Sequence, residues 1–498
     1  MLKGLKVHWL LAIGAFGVLG AAAVWMGGLN QDEGWYLYAA NLVAEGQVPY
    51  RDFFHTQGPM LPIAYSAFSG IWKSWGLLGA RLFTLALGAL GILLAMGLAR
   101  RLVPDGRKDA AALAVLFLLG CNLYHLYYVT IPKTYALASL FVLVGFYLAS
   151  FRGFLCLSGA GLALAFAAGT RISLGALMPV VGLGLLLTRR WKMLAGFCVG
   201  GFLGLALVYL PFLCDAGARE GLIAAQKYHA ARGGFDVMWT VGSLSRLVRW
   251  YLPVFVVLGL GVAGMVGSEA GAEVKQRRFL RLLALSFLAV FAVQMLAPFP
   301  YEDYQVPIMG LLAVSAAVTL FAFRPVNRTI EQSEQSNNLT LLLVLGLCFA
   351  NSFGSPLLEK WSTNGQDRFW SLKKEQFELA QLRDVSRRIE AMDPGGKDLL
   401  TQDLYLAIET NRKVPKGLEM GPFSMLSDAA WRKLIGESTC KVAALSGYTF
   451  AVEPPVCRER PLETQMEYWN LLKRRYEFVE REDAFGQNAT PLLILRRK

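Results

Sequence analysis

Charged side chains are scarce in this chain. Asp, Glu, Lys and Arg make up 17% of its 498 residues, where a soluble domain carries roughly 25%. With 55% hydrophobic residues, an ordinary soluble protein is excluded. Histidine is scarcer still: His8, His55, His125 and His229 are scattered. Seven cysteines show no metal-ligand spacing, so neither a zinc site nor a Cys–His nucleophile is indicated. Cys121, Cys156, Cys198, Cys214 and Cys348 fall in or beside apolar runs, where a lone cysteine packs as a small apolar residue. No internal repeat of the kind that marks many secondary transporters is present. The C-terminal part has neither a phosphate-loop glycine pattern nor a nucleophile motif.

Long apolar runs are what the chain has instead. Eleven are long enough to be read as membrane spans: about 8–28, 77–99, 110–129, 133–151, 154–170, 172–188, 193–213, 250–267, 281–297, 305–323 and 339–354. The stretch 59–75, interrupted by Pro62, Gly70 and Lys73, reads as re-entrant or interfacial. The net charge of +13 belongs mainly to residues 1–354 and falls in short clusters on alternate loops. It therefore reflects the positive-inside rule and not nucleic-acid binding. Lys3/Lys6, Arg100/Arg101/Arg107/Lys108, Arg152, Arg189/Arg190/Lys192, Lys275/Arg277/Arg278/Arg281 and Arg324/Arg328 are then cytoplasmic. The loops 29–76 and 214–249 and the turn 298–304 are external, and so is everything after 354. The expected architecture is an all-α polytopic membrane protein with about 11 transmembrane helices over 1–354. A small extracytoplasmic α/β domain over 355–498 follows, with strands near 398–402, 442–444, 449–452, 476–479 and 492–495. Cys440 and Cys457 are the only cysteine pair in that external domain. Oxidation is permitted there, and a disulfide between them is expected.

Asp32 and Glu33 follow the first span in Asn30-Gln31-Asp32-Glu33-Gly34-Trp35-Tyr36, with no other charge between Lys6 and Glu45. Acidic groups at a membrane face more often mark a site than decorate a surface. Trp35, Tyr38, Ala39, Leu42 and Val43 recur at helical spacing, which predicts a short amphipathic helix lying in the interface. The segment 49–59 mixes Arg51, Asp52 and His55 with aromatics. Tyr301, Glu302, Asp303 and Tyr304 form a second acidic-aromatic cluster on the same face. Lys133 and Arg171 are cations on that external face, against the charge bias, and point to an anionic ligand. Guanidinium matches phosphate in a bidentate fork.

The Asp32-Glu33-Gly34-Trp35-Tyr36 loop, Gly46-Gln47-Val48-Pro49-Tyr50-Arg51-Asp52-Phe53-Phe54 and Gln57-Gly58-Pro59 resemble the GT-C superfamily of membrane glycosyltransferases. So do Ala80-Arg81, Leu98-Ala99-Arg100-Arg101-Leu102 and Tyr304-Gln305-Val306-Pro307. The branch most similar is the protein O-mannosyltransferase, lipid A aminoarabinose transferase and rhizobial lipopolysaccharide transferase group. One departure is Gln57-Gly58-Pro59, where the aminoarabinose transferases carry Lys-Pro-Pro. The resemblance implies an inverting transferase in a bacterial inner (plasma) membrane. It would move a sugar from a polyprenyl phosphate, in bacteria undecaprenyl phosphate, to a glycan, lipid or protein acceptor. Asp32 would be the general base and Glu33 would orient the site or contact the acceptor. Arg51, Arg171 and Lys133 would hold the donor phosphate. Asp52, His55, Tyr301, Glu302, Asp303 and Tyr304 would bind substrate. No cofactor is required, although adjacent carboxylates could hold a divalent cation. A transporter, or a non-catalytic subunit of a glycan assembly system, is the alternative.

Overall fold

The computed structural model describes residues 2–230, 235–266, 274–297, 299–323, 330–363, 374–424, 426–447 and 462–498. Every apolar run is helical. In chain order the helices begin with α1 (Leu2–Trp25), α2 (Gln31–Ala44), α3 (Met60–Ser66), α4 (Gly70–Leu102), α5 (Lys108–Val115), α6 (Leu123–Tyr128), α7 (Thr134–Ala149) and α8 (Phe154–Thr170). They continue with α9 (Leu177–Leu187), α10 (Trp191–Cys214), α11 (Ala216–Ala230), α12 (Val237–Trp250), α13 (Leu252–Val266), α14 (Val274–Met295), α15 (Val306–Ala322) and α16 (Ile330–Phe353). Among the described residues six helices are long and apolar enough to cross a membrane, or seven if the α12–α13 pair, bent by 77°, is one span. Three shorter apolar helices, Thr134–Ala149, Phe154–Thr170 and Ile172–Leu187, lie between them.

The expected span 110–129 is broken. A π-helical turn at Leu116–Gly120 ends α5, and Asn122 caps α6 by accepting from the His125 N–H. The 59–75 stretch is not a span either. It forms α3 and the start of α4, which kinks at Gly76 with φ +61°. A side chain there would meet the Glu409 carboxylate, and glycine alone tolerates both demands.

The C-terminal part contains α17 (Pro356–Ser362), α18 (Glu378–Met392), α19 (Leu404–Glu409), α20 (Asp428–Glu437), β1 (Val442–Ser446), α21 (Leu462–Arg475), β2 (Tyr476–Phe485) and β3 (Thr490–Arg497). The strands form one antiparallel sheet of order β1-β3-β2, with Ala444 opposite Ile494. Residues 398–402, expected as a strand, make only isolated bridges from Asp398 to Lys413 and from Leu400 to Ala443. The expected strand at 449–452, and Cys457, lie outside the described residues; Cys440 is buried.

The helix expected to lie in the interface is α2, and the structure corrects that reading. Trp35, Tyr36, Tyr38 and Leu42 are buried in one hydrophobic core with Leu61 and Trp72 of the loop and Leu379, Leu404, Tyr405 and Leu493 of the C-terminal part. The aromatics that suit a headgroup layer are covered by protein instead. Gly34 is the point of closest approach: a Cβ there would stand 2.5 Å from the Tyr405 nitrogen. Packing therefore joins loop 29–76 to the C-terminal part across the domain boundary expected at 354.

Candidate active site

The first turn of α2 is fixed residue by residue. Asn30 caps it in a capping box with Glu33. The Gln31 side chain donates to Asp403 (2.8 Å) and to the Tyr405 hydroxyl (3.1 Å). Glu33 is fully buried and forks onto Arg81, at 2.8 and 2.7 Å. The same guanidinium donates to the carbonyls of Val24, Gly27 and Gly28. Arg81 thus satisfies orphan carbonyls after α1 and neutralises Glu33 at once.

Between these two anchored residues Asp32 points elsewhere. Its carboxylate pairs with Lys133 Nζ at 2.8 Å, accepts from Trp35 Nε1 at 3.0 Å, and keeps 23% of its side chain exposed. Lys133 also pairs with Asp303 at 3.0 Å, and Asp303 accepts from the Tyr135 hydroxyl at 2.8 Å. One ammonium therefore serves two carboxylates. Burial pushes the Asp32 carboxyl up, but the charge and hydrogen bond of Lys133, with Trp35 and Arg171, pull it further down. It rests below the usual carboxylate value.

The next residue, Thr134, accepts from Arg171 Nη1 at 3.1 Å. Adjacent residues 133 and 134 thus hold Asp32 on one side and Arg171 on the other. The Arg171 guanidinium lies between the rings of Tyr135 (4.9 Å) and Tyr304 (4.7 Å). Its Nε is buried with no partner. Arg171 and Tyr304 face a cavity of about 260 Å³ whose other walls include Gln57, Ser173, Tyr209, Gln226, Phe299 and Tyr301. Among the described residues Arg171 is its one cationic lining residue.

Three solved structures share this architecture at low sequence identity. ArnT from Cupriavidus metallidurans bound to undecaprenyl phosphate aligns with TM-score 0.56 and 13% identity over 98% of this chain and 97% of that one. Its apo form gives 0.59 and 14% over 98% of both. The Archaeoglobus fulgidus oligosaccharyltransferase in complex with Zn and sulfate gives 0.53 and 13% over 98% of this chain and 73% of that one. The chain has the GT-C fold. Sequence comparison matches no family model and no curated protein.

Within this GT-C chain the expected site residues divide. Asp32, Lys133, Asp303, Arg171, Tyr301 and Tyr304 come together around one corner. Lys133, expected on phosphate, is instead shared between Asp32 and Asp303. Arg51, also expected on phosphate, is exposed and paired with Asp52 (3.0 Å) and Asp215 (3.2 Å), away from the cavity walls. That pairing holds the Asp52 carboxyl below its usual range. Arg51 ties the loop to the start of α11. His55, expected on substrate, is fully buried among Trp35, Tyr50 and Phe53, and burial lowers its imidazole to about 4. Glu302 pairs with Arg246 at 3.0 Å. Glu33 is fully buried on Arg81. The reading missed Tyr135, Thr134 and Arg81. Tyr135 is one tyrosine in an aromatic run, and Arg81 read as the start of a span.

Proposed function

We propose that the protein transfers a sugar from a polyprenyl phosphate to a hydroxyl acceptor, with inversion. The observation that supports this is one half-open corner holding Asp32 beside the Arg171-lined cavity, bridged by Lys133-Thr134. In this reading the acceptor oxygen attacks the anomeric carbon and its proton passes to Asp32. The bond from that carbon to the phosphate oxygen breaks, and the polyprenyl phosphate leaves with the electron pair. Arg171, stacked between two tyrosines with an unpartnered Nε, offers donors for the phosphate's growing charge. A carboxylate below its usual pKa is a weak base, yet one that is always ionised. Attack on an oxocarbenium-like centre makes the acceptor hydroxyl strongly acidic as the bond forms, so a weak base suffices. ArnT, with undecaprenyl phosphate bound, supports the donor class.

The test is turnover of a sugar–undecaprenyl phosphate by purified protein. Asp32→Asn keeps the shape and removes the base, and turnover should fall by ~10²–10⁴. Arg171→Lys keeps the charge and loses the fork. It should raise the apparent KM for donor more than that for acceptor. Normal turnover of the Asp32 variant would remove this mechanism.

A further inference from the structure

The segment from Ala110 to Cys214 contains no Asp or Glu, and six Lys and Arg. Two of these, Lys133 and Arg171, belong to the corner described above. The other four, Arg152, Arg189, Arg190 and Lys192, line an open surface groove, completed by Trp191 and Met193. None of the four side chains forms an ion pair among the described residues. The groove stands at the other end of the helices from Asp32. Helix α10 begins here at Trp191 and ends at Cys214, next to the Asp215 that pairs with Arg51. Its 24 residues span roughly 36 Å, against a hydrocarbon core of about 30 Å. With the Asp32 corner at one headgroup layer, this groove lies at the other.

Its two walls are held at fixed spacing. Arg152 precedes α8, and Arg190 to Lys192 open α10. The two helices touch through glycines: a Cβ on Gly196 would stand 2.6 Å from the Phe154 oxygen, and one on Gly200 1.8 Å from the Ser158 oxygen. Ser158 Oγ also donates to the Gly196 carbonyl at 2.9 Å. Helix α9 ends in a reversed turn in which Arg190 N donates to the Leu185 oxygen at 3.0 Å. Arg189 takes φ +53° there, where glycine is usual. A bulky cation held in the left-handed region bears a conformational cost that glycine would avoid. Trp191 (62%) and Leu155 (82%) are exposed beside the cations, as side chains facing lipid at the interface would be.

We propose that this groove binds the phosphate-bearing headgroup of an anionic membrane lipid, on the face opposite the Asp32 corner. Four unpaired cations need counter-charge, and the groove lies where headgroup phosphates are. The rigid walls separate it from a diffuse basic surface.

The test uses the full chain in neutral detergent, titrated with cardiolipin, with phosphatidylcholine and with inorganic phosphate, read by native mass spectrometry. Wild type should bind cardiolipin, and Arg189→Gln/Arg190→Gln/Lys192→Gln should weaken it by more than about tenfold. Phosphatidylcholine should not distinguish the two proteins. Inorganic phosphate in millimolar excess should not displace the lipid. If the triple variant does not insert, Arg152→Gln on the opposite wall tests the same groove and should weaken binding alone. Unchanged cardiolipin affinity in whichever of these variants is recovered would overturn the proposal. Equal weakening by Arg277→Gln/Arg278→Gln, cations at the start of α14, would mean net charge and no site. Displacement by phosphate would mean a free-anion site and not a lipid one.

Discussion

At the scale of single residues, Lys133 decides how Asp32 titrates. With the ammonium gone, Asp32 keeps its burial and loses its main counter-charge, so its pKa should rise. Activity needs the ionised form, so the acidic limb of the pH–rate profile should move to higher pH in Lys133→Met. In the wild type that limb should lie below about 4, the ordinary aspartate value. Profiles of kcat/KM for both proteins check this, and an unmoved limb would separate Asp32 from the step. Glu33 and Arg81 make the opposite case, a closed pair with no solvent access. Removing one partner leaves a buried charge and should cost about 3–5 kcal/mol. Arg81→Met/Glu33→Gln should cost less than the sum of its parts, measured as thermal unfolding in detergent over the double-mutant cycle.

At the scale of elements, the first turn of α2 depends on the backbone of α19. Gly34→Val would drive a side chain into Leu404 and Tyr405. It should loosen the C-terminal part by about 1–3 kcal/mol and lower turnover through Asp32. Limited proteolysis of the C-terminal part should accelerate alongside the activity loss. Elements show best what was legible beforehand. Helix was legible in the apolar runs, because length and composition suffice for it, but the number of spans was not: among the described residues six helices, or seven with the bent pair, are long and apolar enough. The break in 110–129 was hidden, since Leu116–Gly120 is as apolar as its flanks and only packing selects a π turn. The burial of α2 was hidden for a different reason. Trp35 and Tyr38 suit a headgroup layer and a protein core equally, and the partner that decides lies beyond residue 378. Asp32, Lys133, Arg171 and Asp303 were legible because charge is rare and each broke a local trend. Arg51 misled by the same logic, because Asp215, which neutralises it, is 164 residues away.

At the scale of the whole molecule, one end gathers Asp32, the ends of α8 and α10, and the described C-terminal helices and sheet. The other gathers Arg152, Arg189, Arg190 and Lys192. The positive-inside rule predicts a cytoplasmic second end, with the Asp32 corner and the C-terminus outside. In a bacterial host, a C-terminal alkaline phosphatase fusion should therefore be active and a green fluorescent protein fusion dark. The reverse result would invert the molecule. External placement would suit the lipid-borne donor proposed above, because soluble nucleotide sugars do not reach that side.

The bonds that seat Asp32 set an order of events during synthesis. Leu29 is held by Glu378, 349 residues later, and Gln31 by Gln487, 456 residues later. Asp32 leaves the ribosome near the start, and its support emerges almost last. At about 5–20 residues per second the gap is on the order of half a minute to a minute and a half. Throughout it the helices enter the bilayer with the first turn of α2 unsupported. In the proposed mechanism a nascent chain would be inert towards donor lipid until translation is nearly complete.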